Sequence, residues 1–158
     1  MDIVKYYAGM TALELTDVFL PDGLESPAQF VILVEFLKKL AYKPINSKNL
    51  LIKLFYDTAI ENGYSINLAS CGRCGKEINE KVFLSVKDGY CVCEDCRKQG
   101  EGSFSVDTYK FIKKIASGDL TEESNLLANN GLKFFGYYFS KIAGINLKSL
   151  SVLIDISQ

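Results

Sequence analysis

The sequence predicts a mainly α fold, a helical bundle of about five or six helices with a small cysteine-bearing β-hairpin inserted between its two halves. Apolar residues recur at helical spacing on both sides of a central segment that holds all five cysteines. Within that segment residues 82–86 alternate as a strand does and lead to Asp88-Gly89, a strong two-residue hairpin signal. We therefore expect one domain, residues 1–158, with the hairpin module at residues 71–99.

Composition favours a folded, non-catalytic protein. Of the 158 residues, 48% are hydrophobic and 23% are charged, a balance typical of globular domains large enough to bury a core. The net charge is −1, so any binding of nucleic acid would have to use a local basic patch. The chain has no histidine, which removes the commonest general base, and no phosphate-binding loop. We therefore expect no enzyme activity and no small-molecule substrate.

The sequence shows no signal for membrane insertion or export. Asp2, Lys5, Glu14 and Asp17 interrupt the N-terminal segment where a signal peptide needs an apolar run. No stretch reaches the roughly 18 uncharged apolar residues of a membrane-spanning helix. These features predict a cytoplasmic protein without membrane contact. In that compartment clustered cysteines favour metal binding over disulfides.

Three helices are predicted before the cysteines. They cover residues 3–19, followed by a turn at Pro21-Asp22-Gly23, then residue 27 to just before Pro44, and Ser47 to Gly63. The start of the second is the clearest, because Ser26 can cap the helix and Pro27 suits its first position. We expect Ser47 to cap the third helix and Gly63 to end it.

The helical pattern resumes after a polar loop from Lys98 to Ser103. The predicted elements are a helix capped by Ser105 and ended by Ser117-Gly118, a short helix from Thr121 to a break at Asn130-Gly131, and a last strong helix from Leu132 to Gly144. The tail Leu147–Ile156 is apolar enough to dock against the bundle.

The cysteines predict one closed, structural zinc site. Two pairs with two intervening residues, separated by a spacing typical of zinc ligands, assign it to Cys71, Cys74, Cys93 and Cys96. Cys91 has the wrong spacing and is expected to be a small buried hydrophobe. Four thiolates leave no open metal position, so the site is expected to have no chemistry of its own. The alternative is a set of unligated buried thiols, which two matched pairs around a hairpin disfavour.

Six basic residues surround these cysteines: Arg73, Lys76, Lys81, Lys87, Arg97 and Lys98. Four thiolates on Zn²⁺ leave a net charge of −2, which nearby cations could simply offset. The alternative is that these cations bind the phosphates of DNA. Both interpretations stay open at this point.

Two further groups are candidates for partner binding. Lys110, Lys113 and Lys114 share one helical side, which is either a solvated face or a basic ridge for an acidic-hydrophobic tail. In the segment KFFGYYF, residues 133–139, three aromatic residues lie on the predicted core face. The other two, Phe134 and Tyr137, lie at its flank and could form an exposed patch.

The order of these features resembles the RecO family of recombination mediators. A helical segment, the paired cysteines, a helix ending in SGDL (117–120), an aromatic-rich helix and a closing LKSL (147–150) follow one another as in that family. In RecO proteins the last helix usually ends in a glycine shortly before an LKS segment, as Gly144 does here. The resemblance covers nearly the whole chain.

The resemblance implies a bacterial, nucleoid-associated mediator of DNA repair and homologous recombination. RecO proteins bind single- and double-stranded DNA, anneal complementary strands and help to load the recombinase. They form a complex with the ring-forming RecR and contact the acidic tail of the single-stranded-DNA-binding protein. DNA, a RecR-like partner and that acidic tail are therefore the partners expected for this chain.

One family feature has no counterpart here. RecO proteins begin with an OB-fold that carries much of the DNA binding, and no run of short strands precedes the first predicted helix. The chain is expected to be either the C-terminal helical and zinc-binding portion or a shortened relative. Its function is then DNA and partner-protein binding in recombination, or protein interaction alone, with a purely structural zinc site and no direct DNA binding.

Overall fold

The computed structural model describes residues 1–20 and 24–158 and confirms the mainly α fold. Within these residues six helices and one three-stranded sheet follow in the order α1 (Ile3–Phe19), α2 (Pro27–Tyr42), α3 (Ser47–Glu61), β1 (Val82–Ser85), β2 (Tyr90–Cys93), β3 (Gly102–Phe104), α4 (Val106–Ala116), α5 (Asn125–Ala143) and α6 (Lys148–Asp155). The predicted turn at Pro21-Asp22-Gly23 lies outside the described residues. No helix in the described ranges has the length and apolar character needed to cross a bilayer.

Helix α3 is the centre of the bundle. It contacts α1, α2, α4 and α5 and is buried on nearly every side. Its Phe55 ring lies 5.9 Å from the ring of Phe135 and 5.6 Å from that of Phe139, both on α5. These aromatic residues are fully buried, so the α3–α5 contact is an apolar, aromatic-rich interface of the bundle.

Local capping signals set most helix starts. The side chain of Ser26 accepts a hydrogen bond from the Gln29 backbone N–H, as predicted. The predicted cap at Ser47 is wrong, because Asn46 takes that place and its side chain accepts from the backbone of Lys48. Asparagine and serine have similar capping preference, so sequence alone could not choose between these neighbours.

The predicted break at Asn130-Gly131 is also wrong. Helix α5 runs without interruption from Asn125, and residues 121–123, predicted to start a helix, precede its cap Ser124. A Cβ on Gly131 would lie 2.7 Å from Cδ1 of Ile52 on α3. The absence of a side chain at Gly131 therefore allows α3 and α5 to approach closely. This tertiary contact outweighs the low helix propensity of glycine.

The sheet has the order β2-β1-β3 and is antiparallel throughout. The predicted two-residue hairpin turn is a four-residue turn at 86–89, because Ser85 pairs with Tyr90 and Gly89 donates to the Ser85 carbonyl. Gly89 has φ of +70°, which favours glycine there. Strand β3 begins inside the predicted polar loop. It was missed because three residues containing glycine show no alternation.

Candidate metal centre

Four cysteine sulfurs come together at the end of the sheet where β2 stops at Cys93, which we call the outer end. The Sγ atoms of Cys71, Cys74, Cys93 and Cys96 all lie within 4.8 Å of one another, and those of Cys74 and Cys93 are 3.8 Å apart. A tetrahedral site with Zn–S bonds of about 2.3 Å would have S–S edges of roughly 3.8 Å. The four thiols could therefore hold one metal ion.

Tight backbone turns place the first cysteine pair. Gly75 donates to the carbonyl of Cys71 at 2.8 Å and has φ of +75°. The Gly72 N–H donates to the Cys91 carbonyl at 2.9 Å, which attaches this turn to β2. A Cβ on Gly72 would lie 2.2 Å from Cγ of Tyr90, so the turn can pack this closely only with glycine.

The pKa values of the cluster's thiols are consistent with the binding of a cation between them. Burial acts to raise the pKa of Cys71, but backbone N–H groups from Cys93, Cys74 and Arg73 outweigh it and lower that pKa to about 6. The pKa of Cys96 is raised to about 12, mainly by the neighbouring sulfurs of Cys93 and Cys74. Four thiolates at this separation repel one another, and a divalent cation between them would remove that repulsion.

Cys91 lies outside the sulfur cluster. It is fully buried on β2, opposite Leu84 of β1. Burial, together with the charge of Cys71, raises the pKa of Cys91 to about 12. A neutral buried thiol of this kind packs as a small apolar side chain.

Arg73, between the first two cysteines, connects several segments of the module through polar contacts of its side chain. Its guanidinium donates to the Cys96 carbonyl at 2.7 Å and to both carboxylate oxygens of Glu101. It also reaches Asp88 at 3.5 Å, and only 15% of its side chain is exposed. The hydrogen bonds from Arg73 hold the pKa of Glu101 below its usual range. The arginine expected to contact DNA is thus engaged within the protein, where it joins the cysteine turn to the 86–89 turn and to the 98–101 loop.

The other five cations of the module are exposed: Lys76, Lys81, Lys87, Arg97 and Lys98. Lys81 forms a surface ion pair with Glu94 at 3.2 Å, and the Arg97 guanidinium lies 5.3 Å from the centre of the Phe83 ring. Among the described residues Lys76, Lys87 and Lys98 have no ion-pair partner. All five side chains are therefore accessible to a ligand in the segment that holds the cysteines.

The predicted basic ridge on α4 is partly engaged with the chain itself. The Lys113 ammonium donates to the Ala69 carbonyl at 2.8 Å, and Lys114 pairs with Glu122 at 2.9 Å. Lys110 is exposed. The three lysines lie on one side of α4, but two of them already have polar partners.

The predicted aromatic patch is wrong for Phe134. That ring is buried and packs edge to face on Phe104 of β3, with centroids 4.7 Å apart. The missed strand β3 supplies this cover, so the burial of Phe134 could not be expected. Tyr137 is half-buried, and the Lys141 ammonium lies 5.7 Å from the centre of its ring.

Comparison with known proteins identifies the family. The family model described as "Recombination protein O C terminal" matches residues 1–150. The chain belongs to the RecO family. A curated DNA repair protein RecO from Pelobacter propionicus is 26% identical over 165 aligned positions, covering 99% of this chain and 64% of the relative. RecO from Syntrophomonas wolfei is 33% identical over 87% of this chain and 55% of the relative.

A further RecO relative also matches, and these relatives are longer than this chain. RecO from Streptomyces griseus is 29% identical over 75% of this chain and 48% of the relative. The chain thus spans about half to two thirds of the length of these RecO relatives. No solved structure matches the chain significantly.

Proposed function

We propose that this RecO chain contributes DNA and partner-protein binding to DNA repair and recombination, and that it has no catalytic activity. The observation that carries the proposal is the set of five exposed cations in the 71–99 segment, in a chain whose net charge is only −1. A local patch of this kind can hold phosphates although the whole chain is nearly neutral. The RecO relatives are named DNA repair proteins, which supports this function.

The cluster is proposed to be a structural zinc site formed by Cys71, Cys74, Cys93 and Cys96. Four cysteine sulfurs at tetrahedral spacing are typical of structural zinc, and they leave no open position for water or substrate. The metal would hold the cysteine turn and residues 93–96 together. Its role is then to position the cations around it.

A salt titration of DNA binding tests the basic patch. The variant carries glutamine at the five exposed cations listed above, and the control carries glutamine at Lys5, Lys38, Lys39, Lys43 and Lys133, which removes the same charge elsewhere. We expect the first variant to lose at least tenfold in affinity and to show a salt slope smaller by about 2 or more. An equal loss in both variants, or an unchanged slope, would refute the patch.

A protein-interaction function is the second candidate, and the exposed Lys110 beside Lys113 and Lys114 favours it. The proposed partners are a RecR-like ring protein and the acidic tail of the single-stranded-DNA-binding protein, in the bacterial cytoplasm near the nucleoid. A peptide with that acidic C-terminal tail should bind the native chain more tightly than a variant with glutamate at all three lysines. Equal retention of the two proteins on the immobilised peptide would remove the ridge from consideration.

A further inference from the structure

A groove of about 1010 Å³ separates the sheet from the C-terminal half of α5. One wall is formed by the 86–89 turn and the 98–101 loop. Tyr137 and Lys141 of α5, and Tyr64 just after α3, line the rest of the groove. The groove is therefore built by three parts of the chain that are distant in sequence.

Three lysines line this groove from three different segments. Lys87 comes from the 86–89 turn, Lys98 from the loop and Lys141 from α5, and all three are exposed. None of them forms an ion pair with a described residue. The acids of the groove, Asp88 and Glu101, are both bound to Arg73. With Arg73 included, four cations line the groove against two acids, so its net charge is positive.

Two tyrosines add aromatic surface between these lysines. Tyr64 is 37% exposed, and its ring lies beside Phe19 with centroids 5.9 Å apart. Tyr137 is half-buried and is supported edge to face by Phe104, at 5.8 Å. Tyr137 lines the groove, and the Lys141 ammonium lies 5.7 Å from the centre of its ring. Both rings are held by packing, so little side-chain freedom would be lost on stacking with a ligand.

We propose that this groove binds single-stranded nucleic acid, with Lys87, Lys98 and Lys141 on the phosphates and Tyr64 and Tyr137 against the bases. The proposal rests on the proposed DNA-binding function and names a site within it. Aromatic faces interleaved with cations in a groove match the stacking and backbone contacts of single-strand binding. A duplex keeps its bases stacked on each other, so it would leave the tyrosines unused.

Arg73 is a positioning residue for this site. It binds Asp88 on one loop of the sheet and Glu101 on the other, so it fixes the two segments that bear Lys87 and Lys98. Because Arg73 also donates to the Cys96 carbonyl, the cysteine cluster and the groove share one network of polar contacts.

An acidic peptide would need only the lysines of the groove, whereas a single-stranded nucleic acid would also use the two tyrosine rings.

The test is fluorescence anisotropy with three labelled probes: an oligo-dT, an abasic oligonucleotide of equal length, and a duplex. A variant with Lys87→Gln, Lys98→Gln and Lys141→Gln is compared with a control that has Lys38→Gln, Lys39→Gln and Lys43→Gln. We expect the groove variant to lose at least tenfold in oligo-dT affinity and its salt slope to fall by about 2 relative to the control. Tyr64→Leu should lower oligo-dT affinity at least fivefold and leave binding of the abasic probe unchanged.

Variants of Tyr137 separate stacking from folding. Tyr137→Phe keeps the aromatic face and should bind as the native chain does, while Tyr137→Leu should bind oligo-dT at least fivefold more weakly. Each variant is used only after its thermal melting curve shows a native fold, and Tyr64→Leu supplies the stacking test if Tyr137→Leu does not fold.

The outcomes distinguish the groove from the general function. If the groove variant binds oligo-dT like its control while the five-cation variant is weakened, the groove proposal is wrong and DNA binding by the patch stands. If the native chain binds none of the three probes, both proposals are wrong. If the groove lysines matter for an acidic peptide but not for oligo-dT, the groove is a peptide site and the proposal is overturned.

Discussion

The helical bundle and the cysteine-bearing sheet are stabilised by different kinds of contact. The bundle buries aromatic and aliphatic side chains at the α3–α5 interface, where Phe55, Phe135 and Phe139 are fully buried. The sheet has strands of three or four residues, and its outer end holds the four sulfurs and the Arg73 ion network. Strands this short are not stable by themselves. The bundle is therefore expected to fold by apolar burial, whereas the outer end of the sheet is expected to depend on the Arg73 contacts and the proposed metal.

The boundary between the two regions runs through the sheet itself. Strand β1 and the middle of β2 belong to the same apolar core as the bundle, since Val82, Leu84 and Cys91 are fully buried. At the cysteine cluster the burial is incomplete, since Cys74 is exposed and Cys93 and Cys96 are half-buried. Loss of the metal should therefore loosen residues 71–76 and 93–101 and leave β1 packed on the helices.

The largest effect that would test this contrast is the loss of the metal in Cys93→Ser. The variant should contain no zinc, against one zinc per native chain, because three sulfurs and a hydroxyl bind it far more weakly. Hydrogen exchange should accelerate in residues 71–76 and 93–101, while the far-ultraviolet signal of the helices stays. Elemental analysis with exchange mass spectrometry measures both.

Cys91→Ser is the matched control for the metal prediction. It places a hydroxyl in a buried apolar site and should cost about 1–3 kcal/mol, yet retain one zinc per chain. If this variant lost the zinc and Cys93→Ser retained it, the assignment of the four ligands would be wrong.

Phe135→Ala tests whether the helical bundle is stabilised mainly by apolar burial. Removing this buried ring should lower the free energy of unfolding by about 3–5 kcal/mol, because it leaves a cavity between α3 and α5. Urea unfolding followed by circular dichroism measures the change. At low urea the zinc content should remain one per chain, and a loss of zinc without unfolding would show that the two regions are less separate than proposed.

Gly131→Ala is expected to have a smaller effect on the same interface. The added methyl would lie 2.7 Å from Cδ1 of Ile52, so one helix must shift at a cost of about 1–3 kcal/mol. Restoring space with Ile52→Val in the double variant should recover part of that loss. Stabilisation by the alanine alone, as helix propensity would predict, would contradict a tight contact at this glycine.

The smallest predicted effect is a pH dependence from Glu101. The pKa of Glu101 is lower in the folded protein than in the unfolded chain, so its ionised carboxylate stabilises the fold at pH values above the ordinary pKa. This stabilisation is lost as the pH falls from the ordinary pKa through the lowered pKa of the folded state. Glu101→Gln should cost about 1–2 kcal/mol at pH 7. The difference in unfolding free energy between native and variant should shrink below pH 4.5, and a constant difference down to pH 3 would contradict the Arg73–Glu101 pair.

Signals carried by neighbouring residues were sufficient for much of the fold. Capping residues such as Ser26 and Ser105 predicted helix starts that the structure confirms, and apolar spacing predicted the α3 core. The cysteine spacing selected the four thiols that the structure brings together and left Cys91 apart. Each of these signals depends on a few residues within one or two turns, so it is readable in the sequence.

Other features depended on contacts between distant segments. Gly131 continues a helix because of Ile52, Phe134 is buried because β3 covers it, and Arg73 is engaged because Glu101 reaches it. In isolation glycine disfavours a helix, and an arginine between paired cysteines is as consistent with DNA contact as with an internal ion pair. The sequence by itself determined most of the helices and the four cysteines that cluster, through local backbone and spacing rules. The tertiary structure decided which side chains remain free for function, because burial and ion pairing depend on what packs against each residue.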